Sequence, residues 1–168
     1  MKSLFISVLL LISCLVIYAQ DEPAKEIPEF EFLKTDGTFY NQNDIDSTRK
    51  TMIIFFDATC GHCKDAMKIV NKRLDELSKV NILLVSLDIE KSIRMFLEEN
   101  GPNLLDNSKI TILIDTKYQF IPAFKPKKFP SLYLYDEDKK LLVYANNDKK
   151  IDKIFEIVAA ENKVHLAY

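Results

Sequence analysis

This chain has few residues of the types that usually mark a specialised protein. Its 168 residues include no Trp, two His, three Cys, three Gly and six Pro. Three Cys are too few for a disulfide scaffold, and so little Gly and Pro excludes collagen-like and low-complexity sequence. The 23 basic residues nearly balance the 25 acidic ones, so no basic excess indicates a nucleic-acid-binding protein. Hydrophobic residues make up 48% of the chain, which is enough for one domain with its own core.

The N-terminus has the pattern of an export signal. Lys2 precedes an uncharged apolar run, Leu4–Ile12, which is typical of a secretory signal and short for a membrane span. We predict cleavage after Ala19, so that residues 1–19 form the signal peptide and residues 20–168 form a single domain.

Two alternatives to simple cleavage stay open. Leu11-Ile12-Ser13-Cys14 resembles a bacterial lipobox, which would make Cys14 the lipidated first residue, and the apolar run could also remain as an anchor. Every route takes the domain out of the cytoplasm to the periplasm, where disulfides persist, either free or tethered to the membrane. After removal or lipidation of Cys14, the folded domain keeps only Cys60 and Cys63 as free thiols.

The apolar pattern predicts an α/β architecture. Met52–Phe56 and Ile82–Val85 are short unbroken apolar runs, which are typical of strands buried on both faces. Between them, Cys63–Val80 repeats apolar residues at helical spacing. A strand, a helix and a strand in this order predict a parallel crossover unit.

The flanking segments complete a mixed sheet. Apolar residues around Asp36-Gly37 predict an N-terminal hairpin, and Asn147 or Asp148 is a candidate cap for a last helix. The order of elements predicts an α/β sandwich with a mixed sheet. The remaining predicted elements are a helix over Lys91–Glu99, a strand over Ile110–Ile114, a brief helix within Asp115–Phe124 that breaks at Pro122, and strands over Ser131–Tyr135 and Leu141–Tyr144.

The motif Cys60-Gly61-His62-Cys63 stands where the first buried strand ends and the long helix begins. At a helix N-terminus the pKa of the Cys60 thiol falls, and the thiolate is the nucleophile that attacks a disulfide. Cys63 lies one turn further on the same helix face, where it can attack the mixed disulfide and release the product.

The two middle residues of the motif have separate predicted roles. Gly61 is expected to permit a tight turn and to leave the first sulfur open to partners. A protonated His62 would stabilise the Cys60 thiolate, and a more stable thiolate makes the couple more oxidising.

This strand, motif and helix resemble the active site of the thioredoxin superfamily. Phe129-Pro130-Ser131 resembles the superfamily's cis-Pro segment, which implies that Pro130 is cis and faces the disulfide. The section Lys91–Phe124 and the opening Ile27–Phe30 resemble the exported TlpA/ResA-like branch. The resemblance implies a thioredoxin-like fold, a central mixed β-sheet flanked by helices, with an N-terminal β-hairpin and an αβ insertion before the cis-Pro. It also implies that Phe129, Pro130 and Thr59 bind the partner.

Four positions depart from the family pattern. Thr59 stands where the family usually has Trp, and Phe129 replaces a small or β-branched residue. The acids that relatives carry inside the strand or just after the second Cys fall at Ile54 and Ala66, which cannot move a proton. The nearest acids are Asp57 on the strand side and Asp65 on the helix side.

The resemblance implies a thiol–disulfide oxidoreductase that needs no cofactor. Its partners would be protein disulfides or dithiols, with an electron donor or acceptor in the membrane and no nucleic acid. The TlpA/ResA likeness implies a reductant, whereas Cys-Gly-His-Cys resembles the active sites of protein disulfide isomerases and implies oxidation or isomerisation.

Other classes fit the residues less well. A metal site lacks ligands, because only His62 and His165 accompany the two Cys, and we predict no bound metal. Asp57 stands three residues before Cys60, where a peroxiredoxin has Thr, so we do not expect peroxide chemistry. A non-catalytic binding module and a metal-carrying protein with the same fold are the alternatives that stay open.

Overall fold

The computed structural model describes residues 22–105 and 107–164. The predicted signal, the lipobox with Cys14, and His165 lie outside these residues. The strands are β1 (Glu31–Lys34), β2 (Phe39–Asn41), β3 (Thr51–Phe56), β4 (Asn81–Ser86), β5 (Ile110–Ile114), β6 (Ser131–Tyr135) and β7 (Leu141–Ala145). The helices are α1 (Gly61–Lys72), α2 (Glu90–Asn100), α3 (Pro102–Leu105), α4 (Phe120–Phe124) and α5 (Asp148–Val164), with a 3₁₀ turn at Leu74–Leu77.

The described strands form one mixed sheet in the order β2-β1-β5-β4-β3-β6-β7. Strands β3, β4 and β5 are parallel, and β6 runs antiparallel to β3. The predicted crossover, the N-terminal hairpin and the C-terminal hairpin are all confirmed. Because β6 is antiparallel to β3, the start of β6 and the end of β3 meet at one edge of the sheet.

Strand β3 separates two apolar cores. Met52, Ile54 and Phe56 contact one core, which contains the buried faces of α1, α2 and α5. Ile53 and Phe55 contact the other core, which contains α4 and the N-terminal segment. All six residues of β3 are buried, as its unbroken apolar run predicts.

Helix α1 is shorter than its apolar repeat predicts. It ends at Lys72 rather than at Val80, and the chain continues as the 3₁₀ turn. Arg73 stands at the junction, where its guanidinium bonds Glu76 at 2.7 and 2.8 Å and Asp152 on α5 at 2.9 Å. The guanidinium also lies 3.7 Å from the ring centroid of Phe155. Contacts with a distant helix therefore accompany the end of α1, and periodicity alone does not show them.

Two prolines lie in the first turns of helices. Pro102 follows the end of α2 at Asn100 and is the first residue of α3. Pro122, expected to break a helix, lies in the first turn of α4. Neither position needs a backbone N–H for helical hydrogen bonding, so proline is tolerated at both.

A stack of aromatic rings fills the second core. The ring of Phe120 lies 4.2 Å from that of Phe124 and 4.1 Å from that of Phe55, between centroids. The ring of Phe129 lies 4.8 Å beyond Phe55. Such pairs contribute about 0.5–1.5 kcal/mol each in addition to their burial. The stack therefore connects α4 to the residue that precedes Pro130.

Candidate active site

Cys60 immediately precedes helix α1 and caps its N-terminus. Its backbone is extended, with φ −78° and ψ 119°, and its carbonyl oxygen accepts the N–H groups of Cys63 and Lys64 at 3.1 and 3.3 Å. The first turn of α1, which lies wholly within the described residues, contains no acidic residue. The half-buried thiol thus stands at the N-terminus of the helix, the positive end of the helix dipole.

Cys63 lies one turn into α1, and its side chain is fully buried. Burial raises the pKa of its thiol far above its usual range. A backbone hydrogen bond from Asp57 acts in the opposite direction and does not outweigh burial, while contact with the Cys60 thiol and the charge of Asp57 add to the rise. The two thiols are therefore close together, and Cys63 is protonated at neutral pH.

Asp57 organises the turn between β3 and α1. Its Oδ1 accepts the N–H and the hydroxyl of Thr59 at 2.7 and 2.6 Å, and its carbonyl oxygen accepts the N–H of Cys60 at 3.2 Å. Thr59 is exposed, and its predicted contact with a partner stays a prediction. The absence of peroxide chemistry, which rests on Asp57, also stays a prediction.

The carboxylate of Asp88, which no sequence motif indicated, also supports this turn. Asp88 follows β4, and its Oδ2 accepts the N–H of Ala58 at 2.8 Å and the hydroxyl of Ser86 at 2.9 Å. Ala58 lies 30 residues away along the chain. The available signal was an acid just after a buried parallel strand, at the edge where open α/β sheets place their sites.

The structure distinguishes between Asp57 and Asp65, the two acids that the sequence offers as proton carriers. Ile54 and Ala66, where relatives carry an acid, are both buried in the apolar core. Asp65 is exposed on α1, whereas the charge of Asp57 acts on the Cys63 thiol. Of the two acids, Asp57 is the one whose charge raises the pKa of the Cys63 thiol.

Gly61 and His62 are exposed at the start of α1. The φ of Gly61 lies outside the left-handed region that favours glycine, and its predicted role in a tight turn stays a prediction. A Cβ at this position would meet no atom within 4 Å, so the glycine leaves open space next to Cys60. The predicted effect of His62 on the thiolate stays a prediction.

The Phe129–Pro130 peptide bond is cis, as the resemblance implied. Pro130 is buried directly before β6, and its neighbour Ser131 pairs with Phe55 near the end of β3. Phe129 is half-buried, with its ring packed on Phe55. The cis-Pro segment immediately precedes β6, and the Cys60 turn follows β3. Because β3 and β6 are antiparallel neighbours, both segments lie at the same edge of the sheet.

Comparison with known proteins identifies the family. The AhpC/TSA family profile matches residues 23–144. This chain belongs to the AhpC/TSA family. No curated protein sequence matches the chain significantly.

Solved structures similar to this AhpC/TSA protein have the thioredoxin-like fold. The thioredoxin domain of a thiol-disulfide oxidoreductase from Bacteroides vulgatus aligns with a TM-score of 0.66 at 16% identity, over 82% of this chain and 98% of that one. A secreted Mycobacterium tuberculosis disulfide oxidoreductase homologous to E. coli DsbE aligns at 0.62 and 15%, over 78% and 95%. The exposed lipoprotein thioredoxin Etrx1 of Streptococcus pneumoniae aligns at 0.60 and 17%, over 79% and 98%. The predicted fold is confirmed, and the family and these neighbours together support a thioredoxin-like oxidoreductase.

The described part of this AhpC/TSA protein offers neither a cluster of metal ligands nor a membrane-spanning helix. Residues 22–105 and 107–164 contain no group of three or more His, Cys, Asp or Glu side chains that could hold a metal ion. No helix among the described residues is long and apolar enough to cross a membrane.

The difference in burial predicts selective alkylation of the reduced protein. We expect iodoacetamide to modify Cys60 and not Cys63 at neutral pH, because Cys63 is buried and its raised pKa keeps it a thiol. Mass spectrometry of proteolytic fragments measures both sites, and the unfolded protein is the control in which both react. Equal labelling of the two sites in the folded protein would contradict this assignment.

Proposed function

We propose that this protein exchanges disulfides with protein partners through Cys60 and Cys63. The observation that carries the proposal is the asymmetry of the pair. Cys60 is accessible at a helix N-terminus, whereas Cys63 is buried and protonated one turn away. A two-step exchange needs a first thiol that partners can reach and a second thiol that stays protected until the mixed disulfide forms.

The reaction in the reducing direction has two steps. The Cys60 thiolate attacks one sulfur of the partner's disulfide, so that a mixed disulfide forms and the other partner sulfur leaves as a thiolate. Cys63 then loses its proton and attacks the Cys60 sulfur, which releases the second partner thiol. The partner gains two electrons and becomes a dithiol, and Cys60 and Cys63 form a disulfide.

Substitution of each cysteine tests this division of roles. We expect Cys60→Ser to abolish reduction of insulin with dithiothreitol as electron donor. We expect Cys63→Ser to accumulate a mixed disulfide between Cys60 and a disulfide-containing protein, visible on a non-reducing gel. Activity retained in Cys60→Ser would contradict catalysis through Cys60, and no activity of the unchanged protein above the dithiothreitol background would favour a non-catalytic binding module. Stoichiometric zinc or copper bound to both thiols would favour a metal carrier.

We propose that the protein is a reductant rather than an oxidant or isomerase. A strong oxidant has a stabilised reduced form. Here burial and the Asp57 charge disfavour a thiolate on Cys63, and the side chain of His62 is exposed, where solvent weakens its electrostatic interaction with the thiols. The partners would be protein disulfides, with an electron donor in the membrane.

The reduction potential tests the direction of electron flow. We expect a value near or below roughly −270 mV, as in thioredoxin, because the reduced pair receives little extra stabilisation. The measurement is equilibration with a dithiol buffer, and His62→Ala is the matched variant, expected to change the potential by less than about 30 mV. A value between about −180 and −120 mV would mean an oxidant or isomerase.

We propose that the domain acts outside the cytoplasm, in the periplasm or tethered to a membrane surface. The apolar N-terminal pattern supports export, and two structural neighbours are described as a secreted oxidoreductase and an exposed lipoprotein. We expect mass spectrometry of the exported protein to find an N-terminus at Gln20. A lipidated Cys14 would select the lipoprotein route, and a cytoplasmic protein that retains Met1 would contradict export.

A further inference from the structure

A chain of hydrogen bonds ties the cis-Pro segment to the last hairpin of the sheet. The N–H of Lys127 donates to the hydroxyl oxygen of Tyr144 at 2.9 Å. The hydroxyls of Tyr144 and Ser131 lie 2.7 Å apart, and the hydroxyl of Ser131 donates to the carbonyl oxygen of Lys128 at 2.6 Å. We call these four groups the Tyr144 clamp.

The direction of every bond in the Tyr144 clamp follows from the chemistry of its ends. A carbonyl oxygen only accepts, so Ser131 donates its single hydroxyl hydrogen to Lys128. Tyr144 must then donate to Ser131, and the Tyr144 oxygen accepts from Lys127. Each hydroxyl donates one hydrogen bond and accepts one. In a continuous chain of this kind, each hydrogen bond strengthens its neighbours.

The two hydroxyl-bearing residues lie on the last two strands of the sheet. Ser131 begins β6 and is buried, and half-buried Tyr144 lies on β7, where its ring meets Tyr133 edge-on at 5.0 Å. Lys127 and Lys128 have exposed side chains in the segment before the cis-Pro. The clamp therefore attaches the backbone of an exposed segment to two paired strands.

The other side of the same segment is held by packing. The half-buried ring of Phe129 lies 4.8 Å from that of Phe55, which stacks on Phe120 in the core. Polar contacts on one side and an aromatic contact on the other hold residues 127–129 next to the strand end that leads to Cys60. A segment held on two sides loses less conformational freedom when a partner binds.

We propose that Tyr144 is a positioning residue for partner binding, which acts by holding residues 127–129 in the conformation that receives a partner polypeptide. This inference rests on the proposed disulfide exchange and adds a residue outside the cysteine motif and the cis-Pro. Tyr144 lies 13 residues from Ser131 and 17 from Lys127. It contributes to substrate affinity and leaves the chemistry of the thiols unchanged.

Tyr144→Phe removes the hydroxyl and keeps the ring that packs on Tyr133. We expect the KM for insulin to rise about fivefold, the factor that corresponds to one hydrogen bond of ordinary strength. The kcat, the rate with oxidised glutathione and the reduction potential of the pair should stay unchanged, because none of them depends on binding a polypeptide.

Tyr135→Phe is the matched control. Tyr135 lies on the neighbouring strand β6 and is buried, and its hydroxyl donates to the carbonyl oxygen of Ala24 at 3.1 Å, outside the clamp. We expect its KM to match that of the unchanged protein. An unchanged KM in Tyr144→Phe, or an equal rise in Tyr135→Phe, would overturn the proposal.

Amide hydrogen exchange tests the clamp without any assay of turnover. The N–H of Lys127 should exchange slowly in the unchanged protein and in Tyr135→Phe, and rapidly in both Tyr144→Phe and Ser131→Ala. Fast exchange in the unchanged protein would refute the clamp itself. A slow amide together with no insulin reduction by the unchanged protein would refute the proposed function and, with it, the role in partner binding, while the clamp would stand as a structural feature.

Discussion

The burial of β3 on both faces is the constraint on which the rest of the site depends. Its side chains contact two separate cores, and each large apolar side chain so buried contributes roughly 1.5–3 kcal/mol. Any shift of the strand would disturb both cores at once. The chain therefore leaves the sheet at a defined point after Phe56, between β4 and β6, and the next residues form the turn that caps α1.

That turn is held by carboxylates, and its geometry makes the two thiols unequal. Asp57 and Asp88 accept the N–H groups of Thr59 and Ala58, which orders the backbone just before Cys60. Cys60 then stands at the helix end in partial contact with solvent, and Cys63 lies in the core. Burial raises the pKa of the Cys63 thiol, and the difference in exposure between the two thiols underlies the proposed order of attack.

The proposed partner binding involves a different part of the same sheet edge. The cis-Pro segment belongs to the loop before β6, and β6 is the antiparallel neighbour of β3. Phe129 also has a packing role, since its ring continues an aromatic stack that begins at α4. The insertion that contains α4 thus contributes to the site through the core, whereas the last hairpin contributes through the hydroxyl of Tyr144.

Local sequence patterns were sufficient to predict most strands and helices and to locate the cysteine motif at a helix start. The apolar runs of β3 and β4, the Asp36-Gly37 turn and the cysteines at a helix start are short-range features, and steric and burial preferences act on them directly. The tertiary structure alone decided the end of α1, where Arg73 meets Asp152, 79 residues away. It also decided the support of the Cys60 turn by Asp88 and the attachment of the cis-Pro segment to Tyr144. These contacts join residues that are 17, 30 and 79 positions apart, and such pairs leave no periodic signal along the chain.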